Sequence, residues 1–147
     1  MLMQNLWEQS KAGIIELDPF DYSAFFPIAT FTAGATLPIN VNINADSDFV
    51  IRYGMIAAYA AGPAFVVNPF YTVTLFDTGS GRALMDQAIH AGSIFGDGRL
   101  PFIWPEPKLI KASSVVVVTL TNGDAAAANV FVTFGGFKVF HLSSYQR

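Results

Sequence analysis

From Ala35 onward, hydrophobic and polar residues alternate with a period of two. Leu37, Ile39, Val41 and Ile43 fall on one face of the run 36–44, with Pro38 and polar residues on the other. That spacing predicts a strand with one face buried and one wet. Pro38 has no N–H to give a ladder, so it belongs at a sheet edge or a strand start. A turn at 45–48 leads into a strand over 49–59, where Arg52 is the only charge, and Ala60-Ala61-Gly62-Pro63 ends it. The β-branched and aromatic run 70–76 predicts another strand. Asp77-Thr78-Gly79-Ser80-Gly81 then forms a hairpin loop, with a return strand over 82–85.

Further along, 88–95 reads as a short strand and Gly96-Asp97-Gly98 as a turn. Pro101, Pro105 and Pro107 surround Trp104 and exclude a central strand there. The run from Val115 to Thr121 is nearly continuous in β-branched residues and predicts a strand covered on both faces. The last strand, 129–141, carries Gly135-Gly136 at its middle, the mark of a bulge or of a close backbone approach. About eight strands with turns roughly every 8–12 residues predict an all-β domain, leaving sandwich, jelly roll and barrel open.

Residues 1–34 break the pattern. Leu2, Leu6 and Trp7 fit one face of a short helical turn, and Pro19 and Pro27 prevent regular helix beyond it. The stretch is aromatic and aperiodic, whereas solvated linkers are poor in aromatics. It reads either as an arm docked on another surface or as a segment packed back on its own domain. The expected division is an extended N-terminal arm over 1–34 and a β domain over 35–147. The expected partner-binding anchors are Trp7, Phe20, Tyr22, Phe25 and Phe26 on neighbouring subunits.

Composition narrows the function. The 147 residues are 52% hydrophobic and 13% charged, with 14 Phe and no Cys. A chain of this length buries about 70% of its unfolded surface and needs neither disulfide nor metal to fold. The absence of Cys fits synthesis in a reducing cytoplasm. The net charge is −3 and the basic residues are scattered, which argues against direct nucleic-acid binding. The opening segment lacks a basic region followed by an apolar core and is not read as a signal peptide. No apolar run reaches the ~18 residues of a membrane-spanning helix, and no membrane partner is expected.

Few residues suggest chemistry. Asp46-Ser47-Asp48 has the spacing of some metal sites, but hard cations require more oxygens, and Asp is favoured in turns for its side chain-to-backbone bonds. Asp77-Thr78-Gly79 matches an aspartic-protease triplet, yet no second carboxylate half or flap is identifiable. His90 and His141 are far apart in sequence and no nucleophile elbow is present. No catalytic residue, cofactor or metal is expected, and the chain is read as no enzyme.

The order of features carries a resemblance. Asn44 to Phe49 enters a long apolar strand, and Leu75-Phe76-Asp77 is followed by Gly81 to Met85. Then come Ile94 to Gly98, the Pro-framed segment Leu100 to Pro107, Ser114 to Asn122, and Gly135-Gly136-Phe137-Lys138. Over about residues 40–140 this resembles the small jelly-roll cement or decoration proteins on tailed bacteriophage capsids. The resemblance implies an antiparallel jelly-roll β-sandwich on the capsid exterior that clamps and reinforces neighbouring major capsid proteins. Low Lys and Glu with abundant Phe suits interface cores. A homo-oligomer is expected, with a dimer favoured and a trimer possible. The alternative is a carbohydrate- or receptor-binding module of a phage tail or fibre, with Tyr53, Tyr59, Tyr71 and Trp104 as a sugar platform.

Overall fold

In the computed structural model, which describes residues 1–97 and 99–142, the alternating runs become strands that pair antiparallel throughout. After helix α1 (Leu2–Lys11) the strands are β1 (Ile15–Phe26), β2 (Thr36–Asn42), β3 (Asp48–Tyr59), β4 (Tyr71–Asp77), β5 (Arg82–Ala83), β6 (Ile89–His90), β7 (Phe102–Ile110), β8 (Val115–Asn122) and β9 (Asn129–His141). One sheet runs β1-β9-β3-β7. The other runs β2-β8-β4-β5, with β6 also on β4.

The pairings are nested. β1 lies on β9, β2 on β8, β3 on β7, and β4 on β5 and β6. One long antiparallel ribbon, folded at β4–β5, is thus rolled into two facing sheets. That topology is the jelly roll. The all-β antiparallel sandwich expected from the alternation is the fold the chain adopts, and its nine strands among the described residues include β1, which the sequence reading assigns to the arm.

The inward positions are those set by the period of two. Val41, Val73, Leu75, Val116, Val118, Leu120, Val130 and Val132 are buried between the sheets, and Leu37 and Ile39 pack against them. Phe31, in the β1–β2 connection, wedges between Phe26 and Tyr71, with ring centroids 5.7 and 5.2 Å away. This aromatic trio closes the end of the sandwich at which β1 finishes and β4 starts.

Four expectations need correction. Residues 1–34 are not a separate arm. β1 runs in register with β9 from Ile15↔His141 to Phe26↔Val130, so 15–26 is an edge strand of the sandwich. Its inward set is Phe20, Tyr22, Ala24 and Phe26; Pro19 is tolerated because the edge leaves its missing N–H without a ladder partner. Second, β8 is fully buried at every other residue only. Its other face stays half-exposed. Third, 88–95 is a two-residue strand followed by a 3-10 turn at Ala91–Ser93. Fourth, the return strand after the hairpin loop is two residues long, not four.

Helix α1 ends where Gly13 adopts φ 72°, the left-handed conformation glycine takes past a helix C-terminus. The turn lays the helix back on the outer surface of the β1-β9-β3-β7 sheet. There Leu6 is buried with Ile15, Val50 and Val139. Val50 and Val139 point away from the main core, so this small second core exists only because α1 covers them.

Candidate interaction face

The outer surface of the β1-β9-β3-β7 sheet has two halves. The half at the beginning of β1 is covered by α1, with Trp7 edge-on to Phe137 at 5.9 Å. No described residue covers the half at the end of β1 in the same way. There Phe25 of β1 lies opposite Phe131 of β9 in register, rings 4.8 Å apart. Phe131 meets Tyr59 of β3 at 6.2 Å, and Tyr59 meets Phe65 at 5.6 Å. A row of four aromatic side chains therefore crosses three strands and reaches the loop after β3. Phe25 and Phe131 are each 44% exposed and Phe65 50%.

The alternation places them there. In β9 the residues Val130, Val132 and Phe134 point inward, so Phe131 must point outward. The same parity puts Phe25 outside, between inward Ala24 and Phe26. The connection 60–70 holds Phe65 through an isolated bridge to Tyr59. It contains no charged residue, and neither does the 27–35 connection at the same end of the sandwich. Val67 and Phe70, in the same connection, are both more than half exposed. Exposed apolar surface that is contiguous rather than scattered marks a contact surface.

A polar seam separates the two halves. Tyr53 of β3 donates a 2.8 Å hydrogen bond to the Asp21 carboxylate of β1. That bond, with some burial and the nearby negative charge, holds the Tyr53 hydroxyl above its ordinary pKa. Since β9 lies between these strands, the bond spans the central strand over Gly135.

The five expected anchors divide by parity. Trp7 and Phe25 are exposed on the outer surface. Phe26 and Tyr22 are buried in the main core, and Phe20 packs on that core beneath the Lys138 ammonium, 4.2 Å from its ring. Phe131 and Phe65 are not among the expected residues, and Tyr59 is expected only in the sugar platform. The odd positions of the last strand carried the signal for Phe131, but in a chain this apolar an outward Phe looks the same as an inward one until the partner strand is known.

The chemical candidates are structural in geometry. The Asp77 carboxylate accepts from the Gly79 N–H at 2.9 Å, and the Thr78 hydroxyl accepts from the Val115 N–H at 2.9 Å, which closes the hairpin turn. Asp48 accepts from the Ala112 N–H at 2.9 Å and from Lys111 at 3.3 Å, with His141 at 3.4 Å. Burial alone pushes the Asp48 carboxyl up, but these three hydrogen bonds outweigh it and hold the group below its ordinary value. Asp46 pairs with Lys138 at 3.7 Å. The His90 Nδ1 accepts from the Gly92 N–H at 3.1 Å. Among the described residues no three His, Asp or Glu side chains gather where they would hold a metal ion, and no helix is long and apolar enough to cross a membrane. Of the sugar-platform residues, Tyr71 is fully buried and the Trp104 ring packs inward against Phe134 and the main core, so they do not form one surface with Tyr53 and Tyr59.

No family model matches this chain, and none of the curated proteins does. Among solved structures, the chain is similar to the crystal structure of the infectious bursal disease virus VP2 subviral particle, at 13% sequence identity and a TM-score of 0.38. The likeness covers 90% of this chain and 34% of that one, so this chain spans about a third of its length.

Proposed function

We propose that this chain is a structural virion protein that binds the outside of a phage capsid and reinforces contacts between major capsid proteins. The observation that carries the reading is the bare aromatic row Phe25–Phe131–Tyr59–Phe65 beside two uncharged connections. A row of that kind is costly to leave in water. It gains most when a partner surface covers it, since aromatic side chains dominate interface energetics. The sequence resemblance to cement proteins supports the same role. Trp7 and Phe25 keep their place as partner-binding residues in this reading, and Phe131 and Phe65 join them. The partner is the major capsid protein, with a second copy of the chain completing a dimer or trimer at a symmetry position.

Imaging of native particles tests this. Copies spread over the shell at two-fold or three-fold positions, with the aromatic row against the capsid or a second copy, are the expected result. Copies confined to a tail vertex or fibre tip would overturn it in favour of an attachment role.

A further inference from the structure

The two sides of the sandwich close differently. On the β1/β2 side the two edge strands lie close to each other. On the other side the sheets end in β7 and in the broken β5–β6 strand, and a slot of about 450 Å³ remains between them. Its walls are mainly Leu84, Met85, Ile94, Phe102, Trp104 and Pro105. The volume lies within the range of small-molecule sites, about 300–1,000 Å³, and the apolar lining is typical of them. One wall is pinned, because the Trp104 indole N–H donates to the Ile94 carbonyl at 2.9 Å and the ring sits edge-on to Phe134.

The polar groups at the slot are Ser93, Glu106 and Lys108. Lys108 lies opposite Ile51 in register, and Ile51 belongs to the main core. Residues paired this way share a face, so Lys108 comes from the inner side of the sheet and is half-buried. It has no carboxylate partner among the described residues, where the ion pairs are made by Lys111, Lys138 and His141. Glu106 is exposed at the rim.

We infer that this slot binds a small amphiphile with an apolar body and an anionic head, the body against Trp104 and the head on the Lys108 ammonium. The flanking edges favour such a ligand over an added peptide strand. Pro105 and Pro107 remove N–H donors from β7, and β5 and β6 are two residues each, so neither edge has a ladder long enough to extend. The inference is independent of the capsid reading, because the slot lies on the opposite edge from β1 and the Phe25 end of the aromatic row.

Trp104 reports occupancy. In a Trp7→Phe background it is the remaining tryptophan, and its emission is read while decanoate, decanol or decylammonium is added below micelle formation. A saturable change with decanoate, much weaker with decylammonium, is the expected result. Lys108→Gln should weaken decanoate by about tenfold, the loss of one hydrogen bond to a charged group, and leave decanol unchanged. Met85→Glu, which puts a carboxylate in the slot, should abolish decanoate binding with the near-UV dichroism of the fold retained. No saturable change, equal response to decanoate and decylammonium, or indifference of decanoate to Lys108→Gln would each overturn the inference.

Discussion

The ring of Tyr53 occupies the space that a Cβ on Gly135 would need. The pair is a register mate across β3 and β9, next to the point where Arg52 is left over in β3 between Ile51↔Gly136 and Tyr53↔Gly135. The double glycine therefore serves a bulge and a close approach together. On the inner side, a Cβ on Gly136 would collide with the Val50 carbonyl oxygen, which is backbone.

The two glycines should differ in their sensitivity. Gly135→Ala can be relieved by swinging Tyr53 outward with loss of its Asp21 bond, at a cost of about 1–3 kcal/mol. Gly136→Ala must move the β3 backbone and should cost more, or prevent folding. Urea midpoints of the two variants beside Tyr53→Phe check the order, with Tyr53→Phe the mildest.

Exposed and buried phenylalanines one residue apart should behave oppositely. Phe26→Ala should lose about 3–5 kcal/mol of stability, as for other buried Phe truncations. Phe25→Ala with Phe131→Ala should stay within about 1 kcal/mol, yet weaken particle binding by tenfold or more. Thermal unfolding and co-sedimentation with particles separate the two effects.

Truncation should expose the boundary between accessory and integral structure. Removing residues 1–12 strips α1 from Val50 and Val139 and should leave a folded protein weakened by about 2–3 kcal/mol, the burial of one Leu with part of its neighbours. Removing residues 1–30 takes β1 as well and should unfold the domain. A folded, soluble product of the longer deletion would restore the arm reading.

Acid should find Asp48. Its carboxyl is held below the ordinary 3.8, so its stabilisation is complete above that value and is lost as pH falls through the lower folded value. Asp48→Asn should be less stable than wild type at pH 7, by about 1–3 kcal/mol, and the gap should shrink steadily below pH ~4. Unfolding curves from pH 7 to pH 2 measure it.

At the other end of the scale lies Tyr71. Its buried hydroxyl has no hydrogen-bond partner among the described residues. Burial, then the charge of Asp124, pushes its pKa up to about 12 from 10.0. The folded state favours the protonated form, so its stability holds below pH 10 and declines as pH rises toward 12. Tyr71→Phe should be neutral or slightly stabilising at pH 7 and should remove that part of the alkaline decline.

Alternation alone settled which residues face which way wherever a strand followed it cleanly. The period of two is a property of the extended backbone, and it placed Leu37, Ile39, Val41 and Ile43 on the inner side before any partner strand was known. It also marked the glycine pair, because a strand interior without side chains needs a neighbour that comes close. β1 was not legible, since its inward set of Phe20, Tyr22, Ala24 and Phe26 is flanked by equally apolar Phe25 and interrupted by Pro19. Only pairing with β9, more than a hundred residues away in sequence, turned that stretch into a strand and sent Phe25 outward. The edge slot was equally invisible. It exists because β5 and β6 are too short to cover the inner face of β7, and the packing of two sheets from distant parts of the chain decided that.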